Sequence, residues 1–187
     1  AGCSPFNEDC KNTSHGRCFL VEERKRYLLS VEILCVGRLK ERYWTEAVAE
    51  YTKRLQSFCK LRITEIPECR VGDRPTGGEI EKVLETEGNA ILQKISPGAY
   101  VIPMCIEGKS LSSEKLAETL QHVAIGGKSQ VCFVIGGSFG LSDAVKRRGD
   151  LRLSVSAMTF PHQLFRIMLL EQIYRAFSIN AHTQYHK

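Results

Sequence analysis

Nothing in this 187-residue sequence is both long and apolar enough to cross a membrane. Its longest apolar stretches, residues 131–135 and 167–170, fall far short of the roughly 18 residues a spanning helix needs, and they read as a buried strand and a buried helix. Also missing is any Cys-x-x-Cys pair, the spacing of most structural zinc sites, so no metal is expected. The one glycine-rich turn is not followed by Gly-Lys-Ser/Thr, which argues against a phosphate-binding P-loop. Nor does it have Gly-x-Gly-x-x-Gly spacing with an acid about 20 positions on, which argues against dinucleotide binding. A secretory leader needs an apolar core of roughly seven residues or more, and Cys18 to Val21 supplies only four. A transit peptide is poor in acids, whereas Glu8, Asp9, Glu22 and Glu23 are present. There is no internal repeat and no low-complexity linker.

What remains is a chain of ordinary globular composition, 43% hydrophobic and 25% charged, long enough to bury a single core. Cys35, Cys105 and Cys132 fall in expected strands, where a free thiol packs as a small hydrophobe; Cys3, Cys10 and Cys18 precede the domain. That usage points to a reduced, cytoplasmic protein. The formal charge of +5 is unevenly spread: residues 144–187 hold seven basic side chains and two acids, and the rest is neutral overall. Such a positive field suits a polyanion such as RNA, though a solvated basic face gives the same pattern.

Residues 1–26 show neither helical nor strand periodicity, and the segment 1–28 is expected to be a disordered tail or a non-native extension. From there strands and helices alternate. Strands are expected at 28–36, 61–66, 100–106, 130–135 and 151–155, and helices at 41–58, 79–95, about 112–123 and 162–177, with a short one capped by Ser142. This alternation predicts an α/β fold, a parallel sheet with helices on both faces. Ligands bind such sheets beyond the carboxyl ends of the strands. The turns at 104–109, 136–142 and 154–161 are therefore expected to form one continuous site.

In Gly136-Gly137-Ser138-Phe139-Gly140 the glycines either admit a ligand close to backbone N–H groups or serve packing alone. His162, after Pro161 at a helix start, is by itself a capping or packed residue as readily as a catalyst. Glu171 and Arg175 stand at i and i+4, the spacing of an ion pair. His15 and His122 read as surface residues.

Taken together, Val36-Gly-Arg-Leu-Lys40, Ile106-Glu-Gly-Lys109, Val134-Ile-Gly-Gly-Ser-Phe-Gly-Leu-Ser-Asp143, Met158-Thr-Phe-Pro-His-Gln163, Glu171-Gln-Ile-Tyr-Arg-Ala-Phe177 and Tyr185-His-Lys187 resemble the RlmH (YbeA-like) family of SPOUT-class methyltransferases. The resemblance runs from Leu29 to Lys187. It implies a homodimer with a C-terminal trefoil knot, which uses S-adenosylmethionine to methylate N3 of a pseudouridine in large-subunit ribosomal RNA, free or within the assembled ribosome. By the same resemblance Met104, Gly137, Ser156, Ala157, Met158, Thr159, Phe160 and Pro161 would hold the cofactor. His162, Arg175, Tyr185 and His186 would form the methyl-transfer centre, and Arg166 and Lys187 would face the RNA. The alternative is a non-catalytic RNA- or ribosome-binding module on the same scaffold.

Two departures from the family pattern stand out. Family tails read Gly-x-Pro-Tyr-His-Lys, whereas His182-Thr183-Gln184 precedes Tyr185 here. Family members also begin with Met where this chain has Leu29. A leucine initiator would make residues 1–28 untranslated upstream sequence, which native mass spectrometry tests.

Overall fold

The computed structural model of the chain describes residues 29–185. The expectations for residues 1–28, His186 and Lys187 lie outside the described residues. Strands β1 (Ser30–Val36), β2 (Lys60–Ile66), β3 (Tyr100–Ser110), β4 (Gln130–Ile135) and β5 (Leu153–Ser154) alternate with helices α1 (Arg42–Leu55), α2 (Gly77–Lys94), α3 (Ser113–Ile125), α4 (Asp143–Arg148) and α5 (His162–Asn180). The sheet runs β2-β1-β4-β3-β5 and every pairing is parallel.

β1 reads as an almost unbroken apolar run because both of its faces are covered. Val31, Ile33 and Cys35 join Phe133, Leu55, Leu120 and Leu170 in one cluster, beneath α1, α3 and α5. Leu34 and Val36 point the other way, joining Val134, Ile91 and Val145 beneath α2 and α4. The two-residue period of a strand thus serves two cores. The chain turns outward in opposite directions from β1 and β4, so their adjacent carboxyl ends form the switch point where α/β sheets open a crevice.

Local signals place the helices. Thr76 and Glu79 form a reciprocal capping box that starts α2 two residues before the sequence suggested. Ser112 caps α3 and Ser142 caps α4. α1 is shorter than expected, ending at Leu55 rather than 58, and Leu55 is its one buried residue. α5 runs on to Asn180 and closes with paired bonds, His182 N–H to the Ile179 carbonyl and Thr183 N–H to the Ser178 carbonyl, each 3.0 Å. That is a Schellman closure, which sets its penultimate residue in the left-handed region; the residue there is His182, at φ 51°.

β3 and β5 depart furthest from expectation. β3 continues to Ser110, and Leu153 pairs both with Met104 and with Lys109. Residues 104–109 therefore arc around Leu153, and β5 is only two residues long rather than five. Gly108 is required at this crossing, since a Cβ on it would lie 2.6 Å from the Leu153 carbonyl carbon. Cys35 and Cys132 are buried as expected, whereas Cys105 is half-buried. Burial pushes the Cys35 thiol up to about 11 and Cys132 to about 12, so neither is a nucleophile at neutral pH.

Candidate functional site

The segments expected as turns converge as the sequence suggested, although 104–106 belongs to the extended β3 and only the other two follow β4 and β5. Together they line a cleft that is open to solvent and bounded by residues of all three segments. Met104, Gly136, Gly137, Ser156, Met158, Thr159, Phe160 and His162 all reach it; Ala157 and Pro161 do not. Met104, Leu153, Val155 and Phe160 give it apolar walls, and Gly136, Gly137 and Gly140 give it a backbone edge.

The glycine turn is closed on itself. Gly140 N–H donates to the Gly137 carbonyl at 3.0 Å, and a Cβ on Gly136 would fall 2.3 Å from the Gly140 carbonyl oxygen. At Gly137 a Cβ would meet Glu87 Oε2 at 2.9 Å and Val36 Cγ1 at 3.0 Å. Gly137 is thus fixed by packing from below as well as by its place on the cleft. The opposite wall is folded by its serines: Ser154 Oγ donates to the Ser156 carbonyl, and Ser156 Oγ accepts from Met158 N–H, both at 3.0 Å.

Two acids under this turn escaped the sequence reading. Glu68 accepts from Ser138 Oγ at 2.7 Å. Glu87, 4% exposed, accepts from Cys69 N–H at 2.9 Å. Burial, aided by the neighbouring Glu68, raises the Glu87 carboxyl pKa against that hydrogen bond. A signal existed: Val83, Glu87 and Ile91 share one stripe of α2, and an acid in an apolar stripe marks an interior role.

His162 opens α5 beside the cleft. A Cβ on Gly37, which sits at φ +87°, would lie 3.3 Å from His162 Nε2, so the imidazole stands over the end of β1. Arg175 and Tyr185 are brought together elsewhere. Arg175 binds Glu171 at 2.6 Å, the expected i, i+4 pair, and lies 5.0 Å over the Tyr185 ring. The Tyr185 hydroxyl donates to Glu171 at 2.9 Å, and burial followed by this bond raises the phenol pKa. Arg175 lies thirteen positions beyond His162, about 20 Å along α5, so one chain does not unite all the expected centre.

Arg166 corrects an expectation. Instead of facing RNA it is 1% exposed, bound to Glu65 Oε1 at 2.7 Å and to the Gly37 carbonyl at 3.1 Å. Its Nε is buried without a partner. Among the described residues no group of three or more His, Cys, Asp or Glu side chains is placed to hold a metal ion, and no helix is long and apolar enough to cross a membrane.

Comparison with known proteins decides the family. Residues 29–186 match the profile described as "Predicted SPOUT methyltransferase". The chain belongs to the SPOUT methyltransferase family. Among similar relatives, the ribosomal RNA large subunit methyltransferase H of Bacillus pumilus is 49% identical over 159 residues, 85% of this chain and all of that protein. That of Clostridioides difficile is 48% identical over the same shares. A probable methyltransferase from Bordetella pertussis superposes with a TM-score of 0.52 at 11% identity, covering 83% of this chain and 99% of its own, which speaks to the fold alone. A SPOUT methyltransferase takes its methyl group from S-adenosylmethionine. The cleft suits that cofactor: apolar walls for an adenine ring, a glycine edge of backbone, and no phosphate-binding loop that it would leave idle.

Proposed function

We propose that this SPOUT methyltransferase modifies large-subunit ribosomal RNA, at N3 of a pseudouridine, with S-adenosylmethionine seated between the turns at 104–109, 136–140 and 154–161. The observation that carries the reading is the convergence of those turns with His162 on one cleft. The relatives' names supply the RNA. The bound cofactor supplies an electrophilic methyl group, so the protein's task is chiefly placement. Met104, Gly137, Ser156, Met158, Thr159 and Phe160 hold the cofactor, largely through backbone and apolar contact. His162, or His186 from the tail, takes the N3 proton as general base. Arg175 and Lys187 balance the charge that develops on the uracil carbonyls, and Tyr185 stacks on the base. Because Arg175 lies far along α5 from His162 and Tyr185 packs beside Arg175, the centre is completed by a second copy that brings its tail to the first copy's cleft.

The arc of 104–109 around Leu153 is read as the crossing of a trefoil knot, and the protein acts in the cytoplasm, where ribosomes are. Calorimetric titration with S-adenosylmethionine tests the reading: one site per chain, weakened by Met104→Asp, is expected. Absence of binding would leave the alternative of a non-catalytic RNA-binding module.

A further inference from the structure

The β1–α1 loop, residues 37–41, is held by more bonds than its length requires. Arg166 reaches from α5 to the Gly37 carbonyl and to Glu65, and the same Glu65 Oε1 accepts from Leu39 N–H at 3.2 Å. Lys40 N–H approaches Gln163 Oε1 at 3.5 Å, and Gly37 N–H donates to the Ile66 carbonyl at 2.9 Å. The loop backbone is thereby tied to both β2 and α5. A buried guanidinium with an orphaned Nε is a poor source of stability, so the arrangement is better understood as fixing geometry.

What it fixes are two cations. Arg38 and Lys40 are exposed, and neither has a carboxylate within ion-pair distance among the described residues. Of the neighbouring charges, Arg42 is paired with Glu46 and Glu65 is bound to Arg166, while Glu41 stands at the N-cap of α1 without a side-chain cap bond. One residue beyond Arg42, Tyr43 is 58% exposed, its ring 4.7 Å from Trp44. The loop lies beside the cleft, since Gly37 at its start is in contact range of His162.

We infer that the braced loop is an RNA-docking lip, with Arg38 and Lys40 binding backbone phosphates next to the modified nucleotide and Tyr43 offering a stacking face. Unpaired cations followed within a few residues by an exposed aromatic are the features of a sequence-tolerant single-stranded RNA surface. The inference rests on the ribosomal RNA reading and adds to it the element that grips the RNA; Arg166 is a positioning residue for that grip.

The test uses the full chain, S-adenosylmethionine, and in vitro transcribed large-subunit rRNA alongside ribosomes from cells lacking this protein. Arg38→Ala with Lys40→Ala should reduce the slope of log affinity against log salt by about 1.4 to 1.8, some 0.7 to 0.9 per lost phosphate contact. The double Glu variant should raise the KM for RNA at least about tenfold, with kcat and cofactor affinity within about twofold. Tyr43→Ala should weaken binding without changing the salt slope. An unchanged slope and KM would overturn the lip. So would a loss confined to cofactor affinity, which would assign the cations to the cofactor, or a changed oligomeric state, which would assign them to a second copy. A wild-type protein that methylates neither substrate defeats the ribosomal RNA reading itself, separately from these outcomes.

Discussion

Replacing Arg166 by Met keeps most of the side-chain volume and removes the charge, so the consequences can be worked from its contacts. The bond to Glu65 at 2.7 Å is charge-assisted, and such bonds are worth about 1.5 to 3 kcal/mol. The Glu65 side chain is 36% exposed, so the freed carboxylate regains water and the loss falls at the lower end. Gly37 is buried, and its carbonyl, stripped of the 3.1 Å bond, costs about 1 to 3 kcal/mol if left unmet. Against these losses stands relief of the partnerless Nε, a gain of similar size to one of them. The net expectation is a destabilisation of roughly 2 kcal/mol, or about 4 to 8 °C in Tm for a domain of this size. Urea unfolding followed by circular dichroism measures it. A cycle with Glu65→Gln should show coupling of about 1 kcal/mol or more. Stability within about 0.5 kcal/mol of wild type, or additive effects of the two substitutions, would refute the brace.

Gly137→Val should cost about 1 to 3 kcal/mol in thermal unfolding before any cofactor is added, because its Cβ meets Glu87 and Val36, and it should weaken S-adenosylmethionine binding besides. His182→Gly should raise stability by about 0.5 to 1 kcal/mol, since His182 occupies the left-handed closure of α5 and stands where family tails have Gly; His182→Ala should give no such gain. The Tyr51 phenol is pushed up from 10.0 to about 12, first by burial and then by the Glu171 carboxylate. A raised pKa means that the neutral phenol is favoured on folding, so its stabilisation is complete below pH 10.0 and is lost as pH rises toward about 12. Tyr51→Phe should flatten that alkaline loss in unfolding curves. Deleting residues 185–187 should abolish methylation while far-ultraviolet dichroism and the native mass per assembly, whatever its order, stay unchanged.

Much of the fold was legible because burial on both faces writes itself into β1 and β4 as near-continuous apolar runs, and because capping serines mark α3 and α4. The cleft was legible in part for the same reason, since its glycine turn follows the apolar strand β4. Arg166 was not. In sequence it is a basic residue on an apolar helix, and its partner Glu65 lies 101 positions away at the end of β2. The meeting of Tyr185 with Arg175 and Glu171 of its own α5 was not legible either. Nothing local distinguishes a tail that folds home from one that crosses to a second copy. The shortness of β5 was equally hidden, because the alternation of Leu151, Leu153 and Val155 does not reveal that 104–109 wraps around the middle one.

The central claim is that this cleft carries methyl transfer to large-subunit ribosomal RNA. It is tested most directly by mass analysis of that RNA from cells lacking the protein, with and without re-expression of the wild-type chain. The account predicts that one methylated pseudouridine disappears and is restored on re-expression. An unchanged methylation pattern in the deletion strain would contradict it.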